Sequence, residues 1–191
     1  MINRYRKYLE ILDVRLKDMF EKQAPFIKCK KGCTYCCKEG EYPLSELEYI
    51  NMMLYYHSLS NDIKGIINQK IEKILEQNKQ KFYECPFLVN DECAVYPARP
   101  IICRTFGLIS FKTNGRPKMP FCIEFGLNYA NVYDKETELL IKCADDGTEP
   151  LAFNIDRRTL RNAEMQDLFD LYFGEDKALI SWLKEDDYFT K

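Results

Sequence analysis

The sequence contains very little histidine and no long hydrophobic run. His57 is the only histidine in 191 residues, and no Ser-His-Asp arrangement, HExxH motif or phosphate-binding loop is present, which argues against hydrolase chemistry. No apolar stretch approaches the roughly 18 to 20 residues needed to cross a bilayer. These absences remove the common hydrolytic sites and predict a chain that has no membrane partner.

The sequence also lacks an excess of positive charge. Its 28 basic and 30 acidic residues give a formal net charge of −2, so no overall positive field favours nucleic acid as a partner. The first 18 residues alternate charged and apolar side chains and carry no export-signal core. We therefore expect a soluble cytoplasmic protein.

Cysteine, by contrast, is abundant, with nine residues. Reducing conditions in the cytosol keep most thiols free, and an odd number does not suit complete pairing. A chain of this length can also bury a core without covalent crosslinks. The composition favours metal ligation over the alternative of a disulfide framework.

Helical periodicity marks both ends of the chain. Apolar residues recur every three or four positions from Tyr5 to Phe20, and Pro25 should end this helix. Ser45 and Glu48 have the spacing of a capping box that opens a second helix, through about Tyr56. Three more helices are predicted: one capped by Ser60 or Asn61 and ending near Phe82, one capped by Asp156 and ended by Gly174, and a last one burying Leu179, Trp182 and Leu183.

The middle of the chain is irregular and rich in turn residues. Asn90-Asp91 and Asn114-Gly115 predict two β-hairpins, the second with a type I′ turn. Pro100 should begin a short helix that carries Cys103 and that Gly107 terminates. The fold class is therefore mainly α: one domain over residues 1–191, with a cysteine-rich metal-binding region at 29–122 and a helical extension at 130–191.

Eight of the cysteines fall into two groups of four. The pair Cys33-x2-Cys36 has chelating spacing, and thiolates suit zinc or iron–sulfur clusters rather than magnesium or calcium. Adjacent side chains leave the backbone in different directions, so we do not expect Cys36 and Cys37 to bind the same single ion. One of them would bind a different metal, bind a different iron of a cluster, or lie beside the ligands without binding metal, and the number of sites, one or two, is left open. The predicted ligands are Cys29, Cys33, Cys36 and Cys37 in the first group and Cys85, Cys93, Cys103 and Cys122 in the second.

Cationic residues surround both groups, as expected if they stabilise thiolates. Arg99 and Arg104 are predicted to orient or electrostatically tune the ligands near Cys103. Cys143 lies outside both groups and is expected to be a buried inert thiol, and His57 is expected to pack at a helix end. The cations of the first group are Lys28, Lys30, Lys31 and Lys38.

These motifs resemble the YkgJ-type cysteine-cluster family, described as zinc- or iron-chelating. The similar segments are CKKGCTYCC, PLSELEYI, CPFL, CAVYPARPIICRTFG and the final Cys122. The resemblance implies that the eight grouped cysteines are the family's cysteines. Tyr35 departs from the small residues usual inside the first cluster. A related cluster occurs in flagellin lysine-N-methylases, although this chain has no glycine-rich S-adenosylmethionine loop.

Three functions follow from this pattern. The leading one is an iron–sulfur protein with a [4Fe–4S]-type cluster that transfers electrons or assists an enzyme reaction. The second is a structural zinc module that supports binding of a protein partner. The third is a protein-modifying enzyme related to the methylases.

Overall fold

The structure is a computed structural model that describes residues 1–30, 32–38, 40–77 and 82–190. Short 3-10 turns lie at Ala24–Phe26, Tyr96–Ala98 and Phe121–Phe125. The helices are α1 (Ile2–Lys22), α2 (Tyr35–Lys38), α3 (Glu46–His57), α4 (Asn61–Glu76), α5 (Ile101–Thr105), α6 (Arg157–Leu160), α7 (Ala163–Phe169), α8 (Leu179–Glu185) and α9 (Asp187–Thr190). The strands are β1 (Pro43–Ser45), β2 (Leu88–Val89), β3 (Glu92–Cys93), β4 (Ile109–Phe111), β5 (Pro117–Lys118), β6 (Tyr133–Asp134), β7 (Leu139–Leu140), β8 (Ala152–Phe153) and β9 (Asp176–Ala178).

The predicted fold class is confirmed: the chain is mainly α, with small sheets of two or three strands. In the described ranges, no helix has both the length and the apolarity to pass through a bilayer. Contacts between residues divide the chain into two compact units. The assignment of residues 1–191 to one domain stays a prediction. The first unit consists of Met1, Asn3–Lys31 and Cys103–Leu171, and the second of Ile2, Gly32–Ile102 and Tyr172–Lys191.

The first unit combines α1 with a three-stranded sheet. The predicted stripe of α1 is buried at Tyr5, Tyr8, Leu9, Leu12 and Leu16. Strand β4 pairs antiparallel with β5, as the predicted hairpin, and parallel with β8. Strands β6 and β7 form a second hairpin. A small core forms around Phe26, Ile109, Tyr129 and Val132.

The second unit is built from α3, α4, α8 and α9. Their apolar faces share a core that includes Tyr56, Ile67, Ile71 and Leu183, all fully buried. Strand β1 pairs antiparallel with β9, and β2 pairs with β3 in the predicted hairpin. The predicted capping box of α3 is confirmed, because Ser45 and Glu48 bond each other's backbone.

Three local predictions are wrong. Helix α4 ends at Glu76 rather than near Phe82, and residues 78–81 lie outside the described part of the chain. The helix capped by Asp156 ends at Leu160, and a separate helix begins after a new cap at Asn162. The Asn114-Gly115 turn is not type I′, because Gly115 has a positive φ but Asn114 does not.

Candidate metal centre

None of the nine cysteines, all of which lie in the described residues, forms a disulfide bond, and they divide between the two units. The division does not follow the two groups in the sequence, because each unit takes cysteines from both. The second unit contains Cys33, Cys36, Cys37, Cys85 and Cys93, and the first contains Cys29, Cys103, Cys122 and Cys143.

In the second unit, a single helical turn presents the adjacent pair. The backbone carbonyl of Thr34 accepts hydrogen bonds from the amides of Cys37 (2.8 Å) and Lys38 (2.9 Å), which closes the short helix α2. The sulfur atoms of Cys36 and Cys37 lie 4.0 Å apart. The expectation that the Cys36 and Cys37 side chains diverge is wrong, because their sulfurs lie close together in this helical turn.

The β2–β3 hairpin brings two further cysteines to this pair. The amide of Cys85 donates to the carbonyl of Cys37 at 2.7 Å, which joins the segments across 48 positions of sequence. Cys93 lies on β3, directly opposite Leu88. The turn between the strands holds Asn90 and Asp91 at positive φ angles of 52° and 57°, the geometry of a type I′ turn. The predicted hairpin therefore positions a ligand candidate.

Burial and neighbouring sulfurs set the protonation of these thiols. Burial, reinforced by the negative charge of Cys37, raises the pKa of Cys85 to about 12 and the pKa of Cys93 to about 11. A hydrogen bond from Cys36 instead holds the pKa of Cys37 below its ordinary value, against the effects of burial and of Glu84. Without metal, Cys85 and Cys93 are therefore protonated at neutral pH.

Backbone hydrogen bonding also acts on the half-buried thiols of Cys85 and Cys93. The backbone amide of Phe87 bonds the sulfur of Cys85, and the amide of Val95 bonds that of Cys93, each two residues further along the chain. Both bonds favour the thiolate, which is the form that binds metal. Lys70 near Cys85 acts in the same direction.

The predicted cations take different positions. Arg99 stacks on the Tyr96 ring at 3.7 Å, and its charge favours the thiolate of Cys93. Arg104 is buried and pairs with Asp13 on α1. Lys38 pairs with Asp91 at 3.0 Å. Lys31 lies outside the described residues. The predicted tuning roles of Arg99 and Arg104 stay predictions.

In the first unit, the amide side chain of Asn128 links cysteine-bearing segments. Its Oδ1 atom accepts from the backbone amides of Lys28 (2.7 Å) and Cys29 (3.1 Å), and its Nδ2 atom donates to the carbonyl of Gly107 at 2.9 Å. Gly107 follows α5, the helix that carries Cys103. The sequence patterns did not indicate Asn128, since a single asparagine carries no spacing signal.

Two other expectations meet different outcomes. Cys143 is exposed, so the prediction of a buried thiol is wrong. Its segment lies between β7 and β8. His57 ends α3 and makes edge-on contacts with the rings of Tyr56 and Tyr188 at 5.2 and 5.1 Å, which is the expected packing role.

Among the described residues, no three His, Cys, Asp or Glu side chains lie close enough together to coordinate one metal ion. The donor chemistry nevertheless fits a thiophilic metal, because the cysteines are not crosslinked and backbone hydrogen bonds favour the thiolates of Cys85 and Cys93. Binding would therefore need side-chain adjustment, as is usual where metal binding is coupled to folding.

Comparison with known proteins supports this chemistry. Residues 28–122, close to half of the chain, match the model of the CxxCxxCC family, described as a "Putative zinc- or iron-chelating domain". This segment belongs to the family. The matched segment contains the eight grouped cysteines and ends at Cys122, six residues before Asn128. Neither the curated proteins nor the solved structures contain a significant match. The match to the CxxCxxCC family indicates chelation of zinc or iron as the coarse function.

Proposed function

We propose that Cys36, Cys37, Cys85 and Cys93 bind one zinc ion through four thiolates. The observation that carries the proposal is the 4.0 Å separation of the Cys36 and Cys37 sulfurs. With zinc–sulfur bonds of about 2.3 Å, a regular tetrahedron places its sulfurs about 3.8 Å apart. Ligands of a [4Fe–4S] cluster each bind a different iron and lie further apart.

The role proposed for this zinc is structural. A closed four-thiolate site leaves no open position for a substrate. It would tie the α2 turn to the β2–β3 hairpin, two segments that the backbone hydrogen bond from Cys85 to Cys37 already joins. We expect such a module to stabilise a surface for a protein partner in a reducing, cytoplasmic compartment.

The remaining cysteines of the family segment are proposed as further ligands. Cys33 has chelating spacing to Cys36 and is the alternative ligand on the same loop. Cys29, Cys103 and Cys122 belong to the first unit and would serve a separate centre there. Three thiolates leave a fourth position for water or another ligand.

An iron–sulfur cluster that transfers electrons is the second candidate. The amide bonds to the sulfurs of Cys85 and Cys93 favour it, because hydrogen bonds to ligand sulfur set the reduction potential of such clusters. The neighbouring positive charges of Lys70 and Arg99 would also influence this reduction potential.

Metal and sulfide analysis of protein purified without oxygen tests both candidates. The zinc proposal expects a colourless protein with stoichiometric zinc and no labile sulfide. Iron and sulfide in similar amounts, with broad visible absorption, would replace it with the cluster. Protein that binds neither metal after anaerobic reconstitution would refute both.

The variant Cys85→Ser should lose the centre in the second unit. The matched control is Cys143→Ser, which changes an exposed cysteine outside the family segment and should retain every metal equivalent.

A further inference from the structure

We propose that Asn128 is the positioning residue for Cys29, and that the metal-binding machinery therefore extends beyond the family segment. The inference rests on the proposed role of Cys29 as a ligand. Asn128 is fully buried, with 0% exposure. A buried amide without partners is unfavourable, so its hydrogen bonds define a single orientation.

The bonds of Asn128 join two cysteine-bearing segments directly. Its oxygen holds two successive amides, those of Lys28 and Cys29, and its nitrogen holds the carbonyl of Gly107. Two amides converging on one acceptor fix the backbone turn from which the Cys29 side chain emerges. The Cys29 loop is thereby tied to the end of α5.

The backbone next to Asn128 reaches the third cysteine segment. The amide of Leu127 donates to the carbonyl of Cys122 at 3.2 Å, which closes the turn that leads from Cys122 to Asn128. Asn128 thus lies where the segments carrying Cys29, Cys103 and Cys122 meet in the first unit. Cys29 and Cys122 are themselves bonded to Asn128 and Leu127, and Cys103 lies four residues before Gly107.

Gly107 leaves the space that this arrangement needs. A Cβ atom at Gly107 would lie 2.9 Å from Nδ2 of Asn128 and 3.9 Å from the sulfur of Cys29. The first distance is too short for a real contact. The absence of a side chain there allows the amide and the sulfur to lie beside the same backbone.

Strain at the next residue supports a functional role. Tyr129 has a φ of 62°, in the left-handed region that bulky residues avoid. Its amide donates to the carbonyl of Phe26 at 3.1 Å, and its ring stacks on the Phe26 ring at 5.5 Å. Such strained backbone conformations concentrate at functional sites. Here it accompanies the inward orientation of the Asn128 side chain.

Gln23 provides a matched control in the same unit. It is also a fully buried amide, and it accepts from Leu151 at 2.8 Å and donates to the carbonyl of Glu149 at 3.0 Å. It makes the same kinds of bond as Asn128, but its partners carry no cysteine. A purely structural role for Asn128 would make the two amides equivalent.

The test compares Asn128→Ala with Gln23→Ala in the full chain. In metal-free, reduced protein, hydrogen exchange at the Lys28 and Cys29 amides should accelerate about five- to tenfold in Asn128→Ala, because their acceptor is gone. Chelator competition with Zn²⁺ should show about 10- to 100-fold weaker binding at the centre that includes Cys29. Gln23→Ala should leave both measurements unchanged.

Unchanged exchange in Asn128→Ala, or equal losses of zinc affinity in the two variants, would overturn the proposal. If wild-type protein binds no zinc, the proposed function fails, while the exchange measurement still decides whether Asn128 holds the Cys29 loop. If Asn128→Ala does not fold, Asn128→Asp is the second variant. It keeps the acceptor for both amides but loses the donor to Gly107, so exchange should stay slow while zinc affinity falls. Rapid exchange in Asn128→Asp would refute the role of the side-chain oxygen in holding the Cys29 loop, and wild-type zinc affinity would refute the role of the bond to Gly107.

Discussion

Replacing Glu48 with glutamine should strongly destabilise the second unit. The Glu48 carboxylate is fully buried, and it accepts bonds from the amide and hydroxyl of Ser45, both at 2.8 Å, and from the amide of Ile101 at 2.9 Å. One carboxylate therefore caps its own helix, α3, and holds the first residue of α5. Glutamine has the same shape but directs an NH₂ group at one set of these donors.

The expected magnitude follows from the number of bonds. A hydrogen bond to a charged group contributes about 1.5–3 kcal/mol, and a buried donor left unpaired adds a penalty of similar size. Loss of one side of the carboxylate should therefore lower the free energy of unfolding by about 3–6 kcal/mol. Typical total stabilities are about 5–15 kcal/mol, so the change is large enough to measure without ambiguity.

Urea unfolding followed by tryptophan fluorescence measures this change. Trp182 is the only tryptophan, and it stacks on Tyr49 at 5.3 Å within the same unit as Glu48. The control is Glu46→Gln, which changes an exposed carboxylate in the same first turn of α3 and should cost less than about 0.5 kcal/mol. Equal midpoints for the two variants would refute the assignment of Glu48 as the anchor of α5.

Three further predictions concern the metal, a helix cap and a glycine. Cys85→Ser should remove one zinc equivalent by metal analysis, whereas an equal loss in Cys143→Ser would contradict the proposed ligand set. Asp156→Ala should cost about 1 kcal/mol in thermal unfolding. Although burial opposes it, hydrogen bonding from Thr159 and Arg158 lowers the pKa of Asp156. The difference in the free energy of unfolding between Asp156→Ala and wild type should therefore be constant above the ordinary pKa of 3.8 and disappear as pH falls through the lowered value. A difference that persists in stronger acid would argue against the cap. Gly107→Ala should destabilise the first unit more than Gly115→Ala, because both have positive φ but only Gly107 has a neighbour too close for a Cβ atom; equal melting temperatures would show that this crowding has no effect.

Local sequence signals predicted the elements that depend on nearby residues. The α1 stripe, the Ser45–Glu48 capping box and the Asn90-Asp91 hairpin are all confirmed. Each of them is determined by side chains within a few positions, so helical periodicity and turn chemistry are sufficient to identify it. The hairpin also shows that a correct local prediction can place a site residue, since it carries Cys93.

Features that depend on distant partners were missed. The parallel pairing of β4 with β8 joins segments about 40 residues apart, and no local pattern marks a two-residue strand. The predicted helix after Asp156 fails for a similar reason. Asn162 competes by capping a new helix, and Asp170 adopts a left-handed conformation that ends it before Gly174.

The distribution of the cysteines shows why ligand grouping cannot be deduced from spacing alone. Cys29 and Cys33 are four residues apart but belong to different units, whereas Cys37 and Cys85 are joined by a backbone hydrogen bond. Backbone bonds formed by the intervening segments decide which sulfurs can meet. Spacing within each group of four therefore identified the ligand chemistry. In the fold, however, each unit contains cysteines from both groups. If two centres form, each must draw on both groups, so deleting either group should impair both centres.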